Sequence, residues 1–203
     1  MSTPPAFHLE VQDLSHGPLH KLSYAWPAGV SWICGDEGKG KTTLLRLLAG
    51  NVQPTAGTVA TPTGGVFWVD LQGDEHDSTT VQACWENLRA HHPRWNEALL
   101  QDLAEALDMD THRHKQLHML STGSRRKVMV VAALASGATV TLLDQPFVAL
   151  DLTSIGIIKE FLQEAAHSTD RAWLVADYEA PHDVSLASVL NLDAPPSRTG
   201  IHR

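Results

Sequence analysis

The chain has 203 residues and an ordinary globular composition, with 43% hydrophobic and 19% charged residues. This length suits one compact domain with a full hydrophobic core and an attached subdomain. The formal net charge of −8 argues against the broad basic face of a general nucleic-acid binder, so no nucleic-acid partner is expected. Two cysteines, Cys34 and Cys84, form no disulfide framework and favour a reducing compartment.

Neither a secretion signal nor a membrane span is expected from the residue pattern. The N-terminal segment MSTPPAFHLE has neither a basic region nor an apolar core. No window approaches the 18 apolar residues that a spanning helix needs. We therefore expect the protein to work from the water side of any membrane that it serves.

Strand-like and helix-like apolar patterns alternate along the chain, which predicts an α/β fold with a mostly parallel sheet. Residues 80–118 have apolar side chains at helical spacing and resemble an insertion between core elements. The remaining expected elements are strands at 7–14, 19–25, 30–34, 66–69, 140–143 and 173–176, and helices at 41–49, 124–134 and 154–166.

The segment 35–42, GDEGKGKT, fits the phosphate-loop pattern G-x-x-x-x-G-K-[ST] at every fixed position. Its glycines let backbone N–H groups turn toward phosphate oxygens, and the following helix adds its positive end. Lys41 is expected to reach the β- and γ-phosphates, and the Thr42 hydroxyl to ligate Mg²⁺. The expected strand before and helix after the segment argue against a mere glycine-rich turn. The predicted ATP-binding residues here are Gly35, Asp36, Glu37, Gly38, Lys39, Gly40, Lys41, Thr42 and Thr43.

A second part of the site is predicted where the apolar run 140–143 ends in Asp144. A carboxylate at the end of a buried strand beside a phosphate loop is placed to hold Mg²⁺ through water. Thr42 and Asp144 are therefore the predicted magnesium residues.

Two further segments make the pattern specific. Residues 120–124, LSTGS, resemble the LSGGQ signature of ATP-binding cassette (ABC) proteins, with Thr122 in place of the first glycine and Ser124 in place of glutamine. Residues 144–151, DQPFVALD, resemble the D-E-P-x-x-x-L-D run of the same family, including the D-loop residue Asp151. An ordinary P-loop kinase would leave both segments unexplained.

This resemblance covers the chain from about residue 7 to 192 and identifies it as a member of the ABC family. It implies a single nucleotide-binding domain over 1–203: a P-loop NTPase with a RecA-like core, an N-terminal antiparallel β subdomain and an inserted helical subdomain at about 80–122. The compact size and the run PFVALD at 146–151 are similar to the small haem-exporter cassettes of cytochrome c maturation.

The resemblance also implies partners. In the family, ATP is sandwiched between two cassettes, so Ser121 and Gly123 at a helix N-terminus would bind the γ-phosphate held by the other protomer. Taken alone, this segment equally fits a Ser-capped helix. The family further implies an integral membrane permease subunit, with the cassette at the cytoplasmic, inner face of the membrane.

Two family positions are filled by residues with an alternative explanation. Gln72 is the candidate for the Q-loop, which contacts Mg²⁺ and the attacking water, although a solvated loop glutamine is the alternative. His16 occupies the place where the family stacks an aromatic ring on adenine, although a histidine in a turn is the alternative.

Two departures from the family concern hydrolysis. Gln145 replaces the glutamate that polarises the attacking water, and an amide cannot accept a proton near neutral pH. Asp177 replaces the switch histidine, and a carboxylate facing the γ-phosphate is repulsive unless it is protonated or turned away. Gln145, Asp177 and Gln72 are thus the candidate hydrolysis residues, and we expect ATP binding with slow hydrolysis. An engineered trapping substitution is the alternative to natural loss at Gln145.

The leading hypothesis is an ATP-binding subunit of an ABC transporter that couples ATP binding, and slow hydrolysis, to a separate membrane subunit. The alternative is a catalytically weak, ATP-gated regulatory or clamp cassette not engaged in transport. Gln145 and Asp177 favour that alternative, while the small helical insertion and the lack of coiled-coil heptads disfavour a chromosome clamp. Both homodimers and heterodimers stay open, since a competent partner could use this chain's signature.

Overall fold

The computed structural model describes residues 7–71, 73 and 75–194. At the N-terminal end, three strands form an antiparallel sheet in the order β2-β1-β4: β1 (Leu9–His16), β2 (Leu19–Trp26) and β4 (Ala56–Ala60). β1 presents Leu9, Val11 and Leu14 to the interior. This is the expected antiparallel subdomain.

A five-stranded parallel sheet forms the centre of the molecule. Its strands, in the order β5-β6-β7-β3-β8, are β3 (Gly29–Cys34), β5 (Val66–Phe67), β6 (Val140–Asp144), β7 (Ala172–Asp177) and β8 (Ser188–Asn191). The three central strands are buried along nearly their whole length, which explains their continuous apolar sequences. Because parallel strands end at the same edge, the ends of β3, β6 and β7 lie side by side, with Cys34 paired to Asp177 and Asp144 to Ala176.

In the part of the chain that the structure describes, four of the five α-helices begin at a side-chain cap. Thr80, Asn96, Ser121 and Asp151 each accept a hydrogen bond from the backbone N–H three residues later. The helices are α1 (Lys41–Leu48), α2 (Val81–Arg89), α3 (Glu97–Ala106), α4 (Thr122–Ala135) and α5 (Leu152–Ala165). Two short 3₁₀ turns, Asp110–His112 and Leu117–Met119, precede α4. Within the described ranges, none of these helices is long and apolar enough to cross a membrane.

Two hydrophobic clusters pack on the parallel sheet. Trp32 and Leu143 belong to one cluster, and their chain neighbours Ile33 and Leu142 belong to the other. Since successive residues of a strand point to opposite faces, the clusters cover the two faces of the sheet. The first cluster continues into α2, α3 and α4, whereas the second contains α1 and the antiparallel sheet. The helical insertion therefore shares a core with the signature helix α4.

The predicted fold class is confirmed, and most predicted elements are present with shifts of one or two residues at their ends. Two strands, β4 and β8, were not predicted. β4 (AGTVA) has mostly exposed residues and shows no apolar alternation. It pairs with β1 because Gly57 lets the two backbones meet: a Cβ at this position would lie 2.4 Å from the Asp13 carbonyl oxygen. β5 is shorter than the expected strand 66–69 and ends at Phe67.

Candidate functional site

The phosphate loop joins β3 to α1 at the carboxyl edge of the parallel sheet. Gly38 and Gly40 have φ values of +76° and +99°, which glycine adopts without strain. Gly40 is also sterically required, because a Cβ there would lie 2.8 Å from Leu19 Cδ2 in the neighbouring antiparallel sheet. Asp36, Glu37 and Lys39 lie on the exposed part of the loop. The loop therefore has the backbone form that directs N–H groups at phosphate oxygens.

Lys41, the first residue of α1, lies inside this loop. Its side chain is buried, and its Nζ donates to the Gly35 carbonyl and, at 2.9 Å, to the Asp36 carbonyl. The Nζ atom also lies 4.7 Å from the centroid of the Tyr178 ring. Thr43, two residues further along α1, is half-buried. The predicted phosphate-binding lysine is thus brought to the predicted place.

Thr42 and Asp144 meet across the gap between α1 and β6. The Thr42 hydroxyl donates to Asp144 Oδ2 at 2.5 Å. Burial raises the pKa of the Asp144 carboxyl, the Thr42 hydrogen bond opposes this shift, and the Asp70 carboxylate adds to it. A hydroxyl and a carboxylate are the oxygen ligands that suit Mg²⁺, which in proteins also takes phosphate oxygens and water.

This donor pair fits a magnesium ion held jointly with a nucleotide. Among the residues described, no group of three or more His, Cys, Asp or Glu side chains could hold a metal by itself. A metal ion at this edge would therefore need the oxygens of Thr42 and Asp144 together with phosphate oxygens of the nucleotide.

The signature segment forms the N-terminus of α4. Ser121 is exposed and caps the helix, with its Oγ accepting from the Ser124 N–H at 3.1 Å. Gly123 faces the D-loop so closely that a Cβ would lie 2.4 Å from the Ala149 carbonyl oxygen. The glycine of this segment is therefore explained by packing within the chain, and the exposed Ser121 leaves the helix end open to an anion from outside.

Two basic residues after the signature, neither of them predicted to have a role, connect it to the end of β6. Arg126 is 2% exposed, and its Nη1 donates to the carbonyls of Gln145 (3.1 Å) and Val148 (2.9 Å). Burial lowers the pKa of Arg126, while Asp144 and Asp177 oppose that shift. The available signal was a basic residue at the start of an otherwise apolar helix.

Lys127 performs a similar function for the D-loop. Its Nζ lies 2.9 Å from Asp151 Oδ2, and Asp151 Oδ1 accepts from the Ser154 N–H at 2.8 Å to cap α5. The Lys127 contact, together with the hydrogen bonds from Ser154, holds the pKa of Asp151 well below its usual range. The D-loop residue is thus fixed between α4 and α5.

Gln145 and Asp177 both lie at the predicted edge. Gln145 has φ +48°, donates its backbone N–H to the Ala176 carbonyl at 2.8 Å, and accepts from Arg126. The Asp177 Oδ1 accepts from the Tyr178 backbone N–H at 2.8 Å. Burial raises the pKa of Asp177, opposed first by that hydrogen bond and then by Lys41 and Arg126. The carboxylate is therefore turned back onto its own backbone.

Of the adenine candidate His16 and the Q-loop candidate Gln72, the structure describes only His16. His16 ends β1, with its Nδ1 3.3 Å from Thr55 Oγ1. Leu19, the first residue of β2, pairs with His16 and packs on Gly40, which places His16 on the phosphate-loop side of the antiparallel sheet. Gln72 lies outside the described residues. The adjacent Gly73 accepts a 2.9 Å hydrogen bond from Arg125 of α4.

A glycine-rich loop that encloses a lysine between a strand and a helix, with an acid at the end of a nearby parallel strand, defines a P-loop nucleotide-binding protein. Comparison with protein families gives the narrower class, because the model of the family described as ABC transporter matches residues 19–148. The chain belongs to the ABC transporter family.

Individual relatives agree with this assignment. The chain is 29% identical over 193 residues to the cytochrome c biogenesis ATP-binding export protein CcmA of Rhodobacter capsulatus, covering 91% of this chain and 86% of that protein. It is 31% identical over 176 residues to the taurine import ATP-binding protein TauB of Pseudomonas putida, covering 79% of this chain and 65% of TauB.

Solved structures show the same fold. The ABC transporter ATP-binding protein from Pyrococcus furiosus superimposes with a TM-score of 0.74 at 23% identity, covering 92% of this chain and 98% of that one. An inward-facing metal-chelate type ABC transporter gives a TM-score of 0.72 at 22% identity, covering 93% and 81%.

Proposed function

We propose that this chain is the ATP-binding subunit of an ABC transporter, which binds Mg-ATP and couples that binding to a separate membrane subunit. The observation that carries the proposal is the meeting of Lys41, Thr42 and Asp144 at one edge of the parallel sheet. Family membership supports it, and the relatives named above are ATP-binding export and import proteins.

Different residues would bind the phosphates, the adenine and the magnesium ion. Backbone N–H groups of the loop and the Lys41 ammonium would hold the phosphates, while His16 would lie near the adenine. Thr42 and Asp144 would hold Mg²⁺, which neutralises charge on the phosphates when bound. Gln145 can orient a water molecule but cannot take its proton, so hydrolysis at this site would be slow.

A second cassette is the proposed partner at the exposed face around Ser121 and Gly123. Three large apolar side chains beside this face are exposed to solvent: Met119 (62%), Val148 (44%) and Leu152 (87%). Exposed apolar groups near one another are typical of a surface that another protein covers. The helix end at Ser121 would then receive the γ-phosphate held by the partner cassette.

The membrane partner would be an integral permease subunit, and the cassette would act at the cytoplasmic face of the membrane, peripheral to it. Within the single domain 1–203 and its helical subdomain at about 80–122, we assign the docking role to the helical block 80–118, because it lies between the phosphate loop and the signature in sequence and contains neither. Co-purification of the chain with a polytopic membrane protein tests this assignment.

Titration of the purified chain with labelled ATP, with and without Mg²⁺, tests the nucleotide site. Lys41→Ala should weaken binding at least tenfold, because the ammonium is the charged group inside the loop. Lys159→Ala is the matched control: it removes a lysine of α5, outside the phosphate loop, whose Nζ lies 2.9 Å from Asp183 Oδ1. Equal affinity of wild type and Lys41→Ala would refute the proposal.

An ATP-gated regulatory or clamp cassette is the second candidate, favoured by Gln145 and Asp177. Both candidates bind ATP, but only the transporter subunit should form a complex with a permease and stimulate transport in reconstituted vesicles. Single-turnover hydrolysis, measured with and without a second cassette, would further separate a slow homodimer from a heterodimer in which one site still turns over.

A further inference from the structure

The aromatic ring of Tyr178 lies against the phosphate-loop lysine. The Lys41 Nζ is 4.7 Å from the ring centroid, which is within the distance of a cation–π interaction. Tyr178 is half-exposed, whereas Lys41 is buried. The ring therefore lies between the ammonium and the solvent from which a nucleotide would arrive.

The contact with the ring matters for phosphate binding because the Lys41 ammonium has few N–H donors left. A lysine ammonium has three N–H donors. Two of them are directed at the Gly35 and Asp36 carbonyls, both within the loop itself. The Tyr178 ring is a third contact of the same ammonium. A phosphate group that binds Lys41 has to compete with these contacts, and the partly exposed ring contact is weaker than a charge-assisted hydrogen bond.

The backbone around Tyr178 is held at the site by neighbouring elements. The Tyr178 N–H donates to Asp177 Oδ1 at 2.8 Å, at the end of β7. Two residues later, Ala180 is partly buried and packs against the first hydrophobic cluster. The backbone is thus anchored on both sides of Tyr178, so we expect the side chain to be the part that turns away.

We infer that Tyr178 lowers the nucleotide affinity of this site, because its ring competes with the β- and γ-phosphates for the Lys41 ammonium and turns aside when they bind. This inference rests on the proposed function, since it requires a nucleotide in the phosphate loop. A partly exposed cation–π contact corresponds to about a two- to fivefold change in affinity. The ring would act as a competitor that weakens binding by that factor.

Calorimetric titration with Mg-ATP and Mg-ADP tests the competition. Tyr178→Ala and Tyr178→Leu, which both remove the aromatic face, should bind each nucleotide about two- to fivefold more tightly than wild type. Tyr178→Phe keeps the face and should match wild type. Unchanged or weaker binding by Tyr178→Ala would overturn the inference, as would Tyr178→Phe behaving like Tyr178→Ala.

Fluorine NMR of the chain labelled with 3-fluorotyrosine tests the movement. The sequence has two tyrosines, Tyr24 and Tyr178, so Tyr178→Phe assigns the two signals. Mg-ATP should shift the Tyr178 signal and leave that of Tyr24, in β2, in place. A Tyr178 signal that saturating nucleotide does not move would overturn the inference.

The same experiments separate the two levels of the proposal. Wild-type binding that is lost in Lys41→Ala supports the nucleotide site whatever the Tyr178 variants do. Failure of the Tyr178 variants alone overturns only the competition, whereas wild type that does not bind Mg-ATP overturns both.

Discussion

At the scale of single residues, the site separates binding from hydrolysis. The two residues expected to hold the metal, Thr42 and Asp144, are 2.5 Å apart, and the lysine expected to bind phosphate lies inside the adjoining loop. The two positions expected to assist hydrolysis carry Gln145 and Asp177, whose side chains have the wrong chemistry for a general base and for a γ-phosphate contact. We expect a substitution at Gln145 to change ATP turnover and a substitution at Asp177 to change the pH dependence of stability.

Gln145→Glu should raise ATP turnover, because a carboxylate at the end of β6 can accept the proton that an amide cannot. A general base contributes about 10²–10⁴-fold, and we expect roughly tenfold or more here because Asp177 still replaces the switch histidine. A phosphate-release assay measures the change, with Gln145→Asn as the matched amide control. Equal turnover in the Glu and Asn variants would contradict a missing base as the cause of slow hydrolysis.

Asp177→Asn should stabilise the folded chain at pH 7. Burial raises the pKa of Asp177 above its ordinary value of 3.8, so its neutral form is the one that folding favours. The stability from this group is complete below that ordinary value and is lost as pH rises through the folded-state pKa. Asparagine keeps an oxygen for the Tyr178 N–H and never ionises.

Thermal unfolding at pH 7 and pH 4 measures this effect. The melting temperature of Asp177→Asn should exceed that of wild type at pH 7, and the difference should shrink toward pH 4. A gain of the same size at both pH values would mean that the charge is not its cause.

At the scale of elements, the signature helix and the D-loop form one packed unit. Gly123 approaches the Ala149 carbonyl, Arg126 donates to Gln145 and Val148, and Lys127 contacts Asp151. We therefore expect a change at the start of α4 to affect the end of β6.

Gly123→Ala should destabilise this unit by about 1–3 kcal/mol, because the added Cβ would lie 2.4 Å from a backbone oxygen that cannot move independently. Gly156→Ala is the matched control, since Gly156 lies inside α5 with nothing within 4 Å of an added Cβ. That change should stabilise by roughly 0.5–1 kcal/mol. Chemical denaturation measures both, and a Gly123→Ala variant as stable as wild type would contradict the close approach.

The same elements indicate what the sequence could predict and what it could not. β3 and β6 are continuous apolar runs, and the phosphate loop has fixed spacing, so both could be located from local patterns. β4 could not, because its pairing depends on the contact of Gly57 with a distant backbone. The buried Arg126 was missed for the same reason: its partners are carbonyls that only the folded chain brings to it.

At the scale of the whole molecule, the phosphate loop and the N-terminus of α4 are expected to contact two different nucleotides. The loop around Lys41 would hold one nucleotide, while the exposed Ser121 offers a helix end to another. If the signature of one protomer binds the γ-phosphate held by its partner, that protomer's own nucleotide needs the signature of the partner. We therefore expect pairing to depend on nucleotide, and slow hydrolysis at Gln145 to prolong it.

Light scattering during size-exclusion chromatography should detect a dimer with saturating Mg-ATP and a monomer without it. Leu152→Arg should prevent the dimer while leaving the nucleotide affinity of the monomer unchanged, because this leucine, 87% exposed, follows the D-loop and contributes no atom to the phosphate loop. Val189→Arg is the matched control: it places the same charge at an exposed valine on the edge strand β8.

A dimer that survives Leu152→Arg would contradict the proposed face. A wild-type chain that stays monomeric with Mg-ATP would contradict self-pairing and favour a heterodimer. In that case, adding a cassette with a glutamate at the position of Gln145 should restore the complex, because the exposed apolar side chains beside Ser121 still require a partner surface to remove them from water.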